Sequence, residues 1–355
     1  MKYLLNVFFL VFFFLFISES NFAQIAKYSN DFLNIGIDAK YFGQGNCAVS
    51  TVSDASASYW NPAGLLNISE KTEINLMHSE YFAGIAKYDY IGAAFKIDNS
   101  NVIAFSLIRL GVDDIQNTLN LFDSQGNIDY NRIELFSVSD YALLLSYAKM
   151  SKIPGLKIGA NAKLIYRHQG HFANAYGFGL DFGLQYDKGK WHFGAMGKDI
   201  TTTFNAWFVD IEGYENIFIA TGNELPENSI EITMPRLIGG ISRDIKISEK
   251  FGLKPSFDVD FTFDGKRNVL VNSKLVSIDP HVGFELDYKS IVFIRTGVNN
   301  VQIIPDFDKK DFTFQPNMSV GLKIKNFVLN YAITDFANQT ISPYSNVFSL
   351  SFRFD

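Results

Sequence analysis

Apolar and polar residues alternate with a period of two over long stretches of this chain. In residues 176–186, Tyr176, Phe178, Leu180, Phe182, Leu184 and Tyr186 are interleaved with Gly177, Gly179, Asp181, Gly183 and Gln185. Residues 156–167 set Leu156, Ile158, Ala160, Ala162, Leu164 and Tyr166 against Lys157, Gly159, Asn161, Lys163, Ile165 and Arg167. Phe257, Val259, Phe261 and Phe263 alternate with Asp258, Asp260, Thr262 and Asp264, and Phe327, Leu329, Tyr331 and Ile333 with Val328, Asn330, Ala332 and Thr334. Successive side chains of a strand point to opposite faces, so each segment reads as a strand with one apolar face and one polar or glycine face. The segments run about ten residues, the length a tilted strand needs to cross hydrocarbon.

About fourteen such strands follow from residue 73 onward, and their connections differ in length. Short turns are expected near residues 98–101, 150–155, 187–190, 248–250, 287–290 and 323–326. Longer connections are expected near 112–138, 168–174, 200–234, 264–279, 299–311 and 336–345. Short turns at one end and long loops at the other mark a transmembrane barrel rather than a soluble sandwich. Lipid cannot satisfy free backbone N–H and C=O groups, so the sheet must close on itself. The last segment, Val347 to Phe354, supplies an aromatic closing strand. The fold class expected is all-β: a transmembrane antiparallel β-barrel of about fourteen strands in the outer membrane, residues 73–355. Asp181, Lys163, Arg167, Asp258, Asp260, Glu285 and Asp287 are expected to face the lumen, because charge at the lipid midplane is costly.

The N-terminus follows a different pattern. Lys2 precedes an apolar run, Leu4 to Ile17, and then Ser18, Ser20 and Ala23. This reads as an export signal over residues 1–23, cleaved after Ala23. Residues 24–72 alternate poorly and are read as loop and short helix. A lumen of fourteen strands is too wide for its own side chains to fill, so this segment is expected to be a plug.

Composition narrows the chemistry. With 35 Phe and 17 Tyr against only 19% charged residues, the chain is built for aromatic strands. A net charge of −6 offers no basic stripe for nucleic acid. Cys47 is the single cysteine, so neither an intramolecular disulfide nor a thiolate zinc site can form. His168 and His171 read as solvated loop residues, and Gly43-Gln44-Gly45 lacks the βαβ setting of a dinucleotide loop. No serine has a recognisable base, and Asp113-Asp114 has no acid–base partner. Neither an enzyme, a metal nor a cofactor is expected.

The most specific segment is Asp54-Ala-Ser-Ala-Ser-Tyr59-Trp60-Asn61-Pro62-Ala63-Gly64-Leu65-Leu66. Asp54 is expected to cap a short helix. Asn61-Pro62 ends it, since a residue before proline avoids helical geometry, and Gly64 would then allow an unusual turn. Trp60 is the expected anchor. The bland alternative is a purely structural plug turn. This box resembles the D-x-x-A-x-x-W-N-P-A-G-L element of FadL-like barrels. With Asn34-Ile-Gly36 and Gly43-Gln-Gly45 before it, and His78-Ser-Glu80-Tyr81, Tyr88-Asp89-Tyr90 and Gly111-Val-Asp113-Asp114-Ile-Gln-Asn-Thr118 after it, residues 30–120 resemble the PorV/PorQ family of the type IX secretion system. The lysine expected after the Asn-Pro-Ala triplet of PorV itself is missing. The resemblance implies a FadL-like barrel acting as a non-enzymatic adaptor. It would bind translocon or attachment-complex proteins, and cargo with C-terminal sorting domains. The alternative it leaves is a FadL-like transporter of hydrophobic small molecules. Asp54, Trp60, Asn61, Pro62 and Gly64 are the plug or gate candidates. Asp113, Asp114, Trp207, Phe208 and Tyr214 are the candidates for recognition by the outer loops. Lipid of the outer membrane is the remaining expected partner.

Overall fold

A computed structural model describes residues 28–121, 125–212, 215, 218–219, 222–305, 310–334 and 345–355. The expected export signal, residues 1–23, lies outside them. Fourteen antiparallel strands form the wall. They are β1 Thr72–Tyr81, β2 Ala86–Asp98, β3 Asn101–Asn117, β4 Glu134–Met150, β5 Leu156–Gln169 and β6 Ala173–Lys188. β7 has two pieces, Trp191–Lys198 and Thr203–Val209, as does β8, Ser229–Thr233 and Arg236–Arg243. The rest are β9 Phe251–Thr262, β10 Ser277–Tyr288, β11 Val292–Pro305, β12 Lys310–Ile324, β13 Phe327–Thr334 and β14 Ser345–Phe354. Each strand pairs with its neighbours in sequence, and β1 pairs with β14 from Thr72↔Phe354 to Glu80↔Asn346. The sheet therefore has no free edge, as lipid requires.

The alternation read from the sequence is the in–out pattern of the wall. Gly177, Gly179, Asp181, Gly183 and Gln185 point inward on β6, while Tyr176, Phe178 and Phe182 are exposed on its outer face. Across β1 to β6, the outward row Leu76, Ile91, Leu107, Leu143, Leu164 and Phe178 lies in the apolar band. Two residues further toward the loops the row reads His78, Asp89, Arg109, Tyr141, Tyr166 and Tyr176. That change, from aliphatic to tyrosine and charge, marks the upper membrane interface. Inside the barrel the polar set is buried: Lys163, Asp181, Asp258, Asp260 and Arg295 all expose less than a tenth of their surface.

Turns at one end are short, and Thr72 and Phe354 lie there, so this is the periplasmic end. The connections 118–133, 210–228 and 263–276 extend from the other end. Two expectations about loops need correcting. Residues 170–172 form a tight turn with Gly170 in the left-handed region, where a longer loop was expected. The 200–234 connection is also shorter, because β7 runs to Val209 and β8 restarts at Ser229. Residues 306–309 and 335–344, within two other expected loops, lie outside the described residues.

Residues 28–71 enter the lumen as short helices and turns: Asp31–Leu33, α1 Ala39–Gly43, α2 Ala57–Trp60 and Pro62–Asn67. Ile37, Tyr41, Val52, Trp60 and Leu65 pack there with Tyr88, Tyr90 and Ile108 of the wall into the main hydrophobic cluster. No helix among the described residues is long and apolar enough to cross a membrane; crossing is the work of the strands.

Candidate functional site: the plug, its seat and a side-wall seam

Each plug candidate has a definite task. Trp60 donates its indole N–H to the Ile37 carbonyl at 3.1 Å and meets the Tyr59 ring edge-on, centroids 4.9 Å apart. Tyr59 in turn donates to Leu33 O at 2.7 Å, so α2 holds the two preceding turns of the plug. Asn61 is extended, with φ −166°, and ends the helix as expected before Pro62. Its amide also ties plug to wall, donating to Val49 O and to Leu184 O, both at 2.9 Å.

Two details differ from expectation. The N-cap of α2 is Ser56, not Asp54. Asp54 sits two residues earlier, accepting from Ser56 N–H at 3.1 Å, Lys40 Nζ at 3.0 Å and Tyr41 Oη at 2.7 Å. Burial opposes its charge, but Lys40 and these donors outweigh burial and hold its carboxyl below the ordinary range. Gly64 has an ordinary backbone within the 62–67 turn. It is glycine for space: a Cβ would lie 2.6 Å from Val52 O.

The wall meets the plug through a row of inward glycines that the sequence presented only as small residues in alternation. A Cβ at Gly159 would lie 2.4 Å from Ala63 N, and at Gly183 2.1 Å from Asn61 Oδ1. At Gly194 it would lie 2.2 Å from Val49 O, at Gly283 2.4 Å from Gln44 O, and at Gly297 2.2 Å from the Gln44 carbonyl carbon. Plug backbone therefore touches wall backbone from β5 round to β11. Gly159→Val should press on the Pro62–Ala63 backbone at a cost of about 1–3 kcal/mol. We expect trypsin to cut at Lys40 some tenfold or more faster, with strand content unchanged; equal cleavage rates would show that the seat gives way freely.

Polar groups complete the seat. Asp258 of β9 accepts from Ala48 N–H at 2.8 Å and Val49 N–H at 2.9 Å. His281 of β10 bonds to Gly45 O at 2.9 Å through Nδ1. Asp38 accepts from Asn75 of β1 at 2.7 Å and also from Ser349 of β14. Residues 43–45 lie between two cavities. An outer vestibule of about 410 Å³ is lined by Phe42, Asn46, Arg236 and His281 among others. An inner one of about 190 Å³ is lined by Lys40, Gln44, Asp54 and Arg295. Both linings are rich in polar side chains.

The wall departs furthest from a regular ladder at one height. Between Lys198 and Thr203 of β7, four residues face only Met234 and Pro235 of β8, and the ladder pairs on either side are Lys198↔Arg236 and Thr203↔Thr233. The inward phase slips in both strands: Met196 and Lys198 before the break, Thr203 and Asn205 after it. Asp199 and Thr202 take positive φ, a strained choice for such residues. Outside, Ile200 folds over Gly197 beside Leu237. Inside, Lys163 pairs with Asp181 at 3.0 Å and Asp199 at 2.5 Å, and Lys198 stands 4.0 Å over the Tyr59 ring. The first plug turn covers the seam: Ser29 and Asn30 bond to Thr233 at 2.6 and 2.8 Å, and Arg236 donates to Asn34 at 2.6 Å. Asn34 also lines two small cavities behind the break and the outer vestibule.

The loop candidates do not come together. Asp113 lies at the bulged upper end of β3, paired with Lys87 at 3.3 Å, and Asp114 forms the bulge with φ 58°. Trp207 belongs to β7, its indole N–H on Glu231 at 2.7 Å and Arg167 above its ring at 5.0 Å. Phe208 faces outward near Tyr176 in the aromatic girdle, centroids 6.2 Å apart. Tyr214 lies outside the described residues. Trp207 and Phe208 are thus strand residues on opposite faces, not a loop surface, because the strands outrun the expected loop start. Among the described residues no cluster could hold a metal ion.

Together these features define a plugged fourteen-stranded barrel of the bacterial outer membrane, with a FadL-like fold. The solved structures it is similar to include the toluene transporter TbuX of Ralstonia pickettii, at TM-score 0.55 and 13% identity over 90% of this chain and 99% of that one. The toluene transporter TodX of Pseudomonas putida and the monoaromatic hydrocarbon channel CymD each give 0.55 at 12% identity, over 90% of this chain and 98% of theirs. No family model and no curated protein sequence matches. At such identities the likeness is one of fold.

Proposed function

We propose that the chain is an outer-membrane transporter of small hydrophobic molecules, released sideways through the β7–β8 seam. The observation that supports this best is the double phase slip at residues 199–202 and 234–235, with apolar Ile200 and Leu237 outside and the Ser29–Asn34 latch inside. A polar lumen with a seated plug suits an axial path for a hydrophobic solute poorly, whereas a break in the wall opens directly to lipid. The solved barrels of similar fold include proteins described as transporters or channels for toluene and monoaromatic hydrocarbons.

A second reading rests on the Asp54–Leu66 box and its resemblance to PorV/PorQ proteins. Under it the barrel is a type IX secretion adaptor for translocon or attachment-complex proteins and for cargo with C-terminal sorting domains. The plug, held by the glycine seat, suits a protein whose partners act on its surface.

One experiment separates the two. Cells making the native chain or Ile200→Trp are assayed for uptake of radiolabelled toluene and a long-chain fatty acid, and the tagged protein is purified gently for mass spectrometry. Transport through the seam predicts uptake above background that falls at least tenfold in Ile200→Trp, with equal amounts of folded protein. Uptake unaffected by Ile200→Trp would rule out the seam. Absence of uptake, with secretion subunits or sorting-domain cargo co-purifying, would favour the adaptor.

A further inference from the structure

The lipid-facing side of the wall carries a basic row that neither reading uses. Lys188 of β6 and Arg243 of β8 stand directly opposite Trp191 of β7, one on each side. Residues opposite one another in a ladder share a face. Gly194 meets the plug, so His192 shares the inward face of β7, and Trp191 and Phe193 take the outward one. Lys188, Trp191 and Arg243 are all exposed. One row nearer the membrane centre, Tyr186, Phe193 and Ile241 continue the same face, with Tyr186 and Phe193 stacked at 6.3 Å between centroids. The apolar band therefore ends, on the periplasmic side, at Lys188, Trp191 and Arg243. An indole at such a border, with long cationic side chains beside it, sits at the depth of lipid headgroups. The Arg243 guanidinium lies 4.8 Å over the Trp191 ring, and Lys190 adds a cation from the turn between β6 and β7.

These cations have no carboxylate to themselves. The acids next to them in sequence, Asp187 and Asp244, are held from the lumen side. His192 bridges the two at 2.7 and 2.9 Å, Lys157 also pairs with Asp187, and Lys254 meets Asp244 at 3.1 Å. Among the described residues no ion pair reaches Lys188, Lys190 or Arg243. The outer end of the same barrel sector has the opposite sign. Residues 210–228 include Asp210, Glu212, Glu215, Glu224 and Glu227 and no lysine or arginine. Lipid phosphate is thus attracted in the inner leaflet and repelled in the outer one. A zwitterionic headgroup brings its own ammonium against the three cations, whereas a net-negative headgroup does not. A periplasmic protein would meet the turn tips, not a row that faces lipid.

We propose that Lys188, Lys190, Trp191 and Arg243 bind the headgroup of an anionic phospholipid in the inner leaflet. Lys188 and Arg243 are about 10 Å apart across two strand spacings, and their long side chains close on the phosphate from either side of Trp191. This holds whichever molecule or partner the seam and plug serve.

The test reads Trp191 fluorescence from the full-length protein in phosphatidylcholine vesicles. A minor fraction of the lipid is dibrominated phosphatidylglycerol or, in a parallel sample, dibrominated phosphatidylethanolamine. Bromine quenches the indoles it touches. Emission from Trp191 is the difference between the native chain and Trp191→Phe, which sets aside Trp60 and Trp207. At equal mole fraction, phosphatidylglycerol should associate with Trp191 at least about threefold more strongly than phosphatidylethanolamine. The double variant Lys188→Gln/Arg243→Gln should bring the two lipids to parity. Lys289→Gln/Lys325→Gln removes the same charge from other periplasmic turns and should keep the preference. The preference is a ratio within each variant, so a change in Trp191 brightness on losing Arg243 cancels. Unchanged circular dichroism shows that each variant is folded. Equal association of the two lipids with the native protein would overturn the proposal. So would a preference that survives Lys188→Gln/Arg243→Gln, or one that falls as far in Lys289→Gln/Lys325→Gln and so belongs to net charge alone.

Discussion

Trp60→Ala should release the front half of the plug while leaving the barrel standing. The side chain is 6% exposed and packs against Tyr59 and against Tyr41, whose ring centroid is 5.8 Å away. Its outer ring edge would lie 3.2 Å from a Cβ on Gly36, which adopts φ +107° and leaves that space open. Removing a buried tryptophan of this kind costs about 3–5 kcal/mol. The lost bond to the Ile37 carbonyl is part of that figure. The strands are joined to each other by their own ladder, so the loss falls on the plug. Cleavage at Lys40 by trypsin should rise by two orders of magnitude or more, with the strand signal in circular dichroism preserved. Trp60→Phe keeps most of the volume and loses the donor, so it should cost about 1 kcal/mol. Protection equal to that of the native chain in Trp60→Ala would remove Trp60 as the anchor.

Asp258→Ala acts at the other end of the plug and through different chemistry. One carboxylate oxygen receives the consecutive amides of Ala48 and Val49, and all three residues are buried. Alanine would leave two buried N–H groups without an acceptor, at about 1–3 kcal/mol each. Hydrogen exchange at the Ala48 and Val49 amides should accelerate by roughly thirtyfold to twenty-thousandfold. Asp258→Asn retains a carbonyl acceptor in the same place and should lose much less. If the two amides exchange no faster in Asp258→Ala, the plug holds this turn by packing alone.

Much of the architecture was legible because a barrel strand writes its two faces into the chain. Phe257, Val259 and Phe261 against Asp258 and Asp260 needed only a period of two, and the structure puts the first set toward lipid and the second toward the lumen. The box was legible as a local feature, since Asn61-Pro62 constrains the backbone at that point. The seat was not: Gly159, Gly183 and Gly297 are chosen by residues more than ninety positions away in sequence, and small size alone does not say what approaches. The seam did leave a trace. Inward residues change parity between Lys198 and Thr203 and again between Thr233 and Arg236, with Pro235 lacking a ladder donor beside the second change. Reading that trace required knowing which strands are neighbours. The chain gives no signal for how far a strand rises beyond the membrane, so Trp207 and Phe208 read as loop in the sequence although they belong to β7.

The carboxylate of Asp38 carries one further consequence, for biogenesis. It receives the amide of Asn75 from the first strand and the hydroxyl of Ser349 from the last. These are the two strands that can meet only when the cylinder shuts. Until then Asp38, at the head of α1, has only one of its two bonds to the wall. The interior cannot be finished ahead of the wall, and Asp38 reports, by whether it is satisfied from both sides, that insertion is complete.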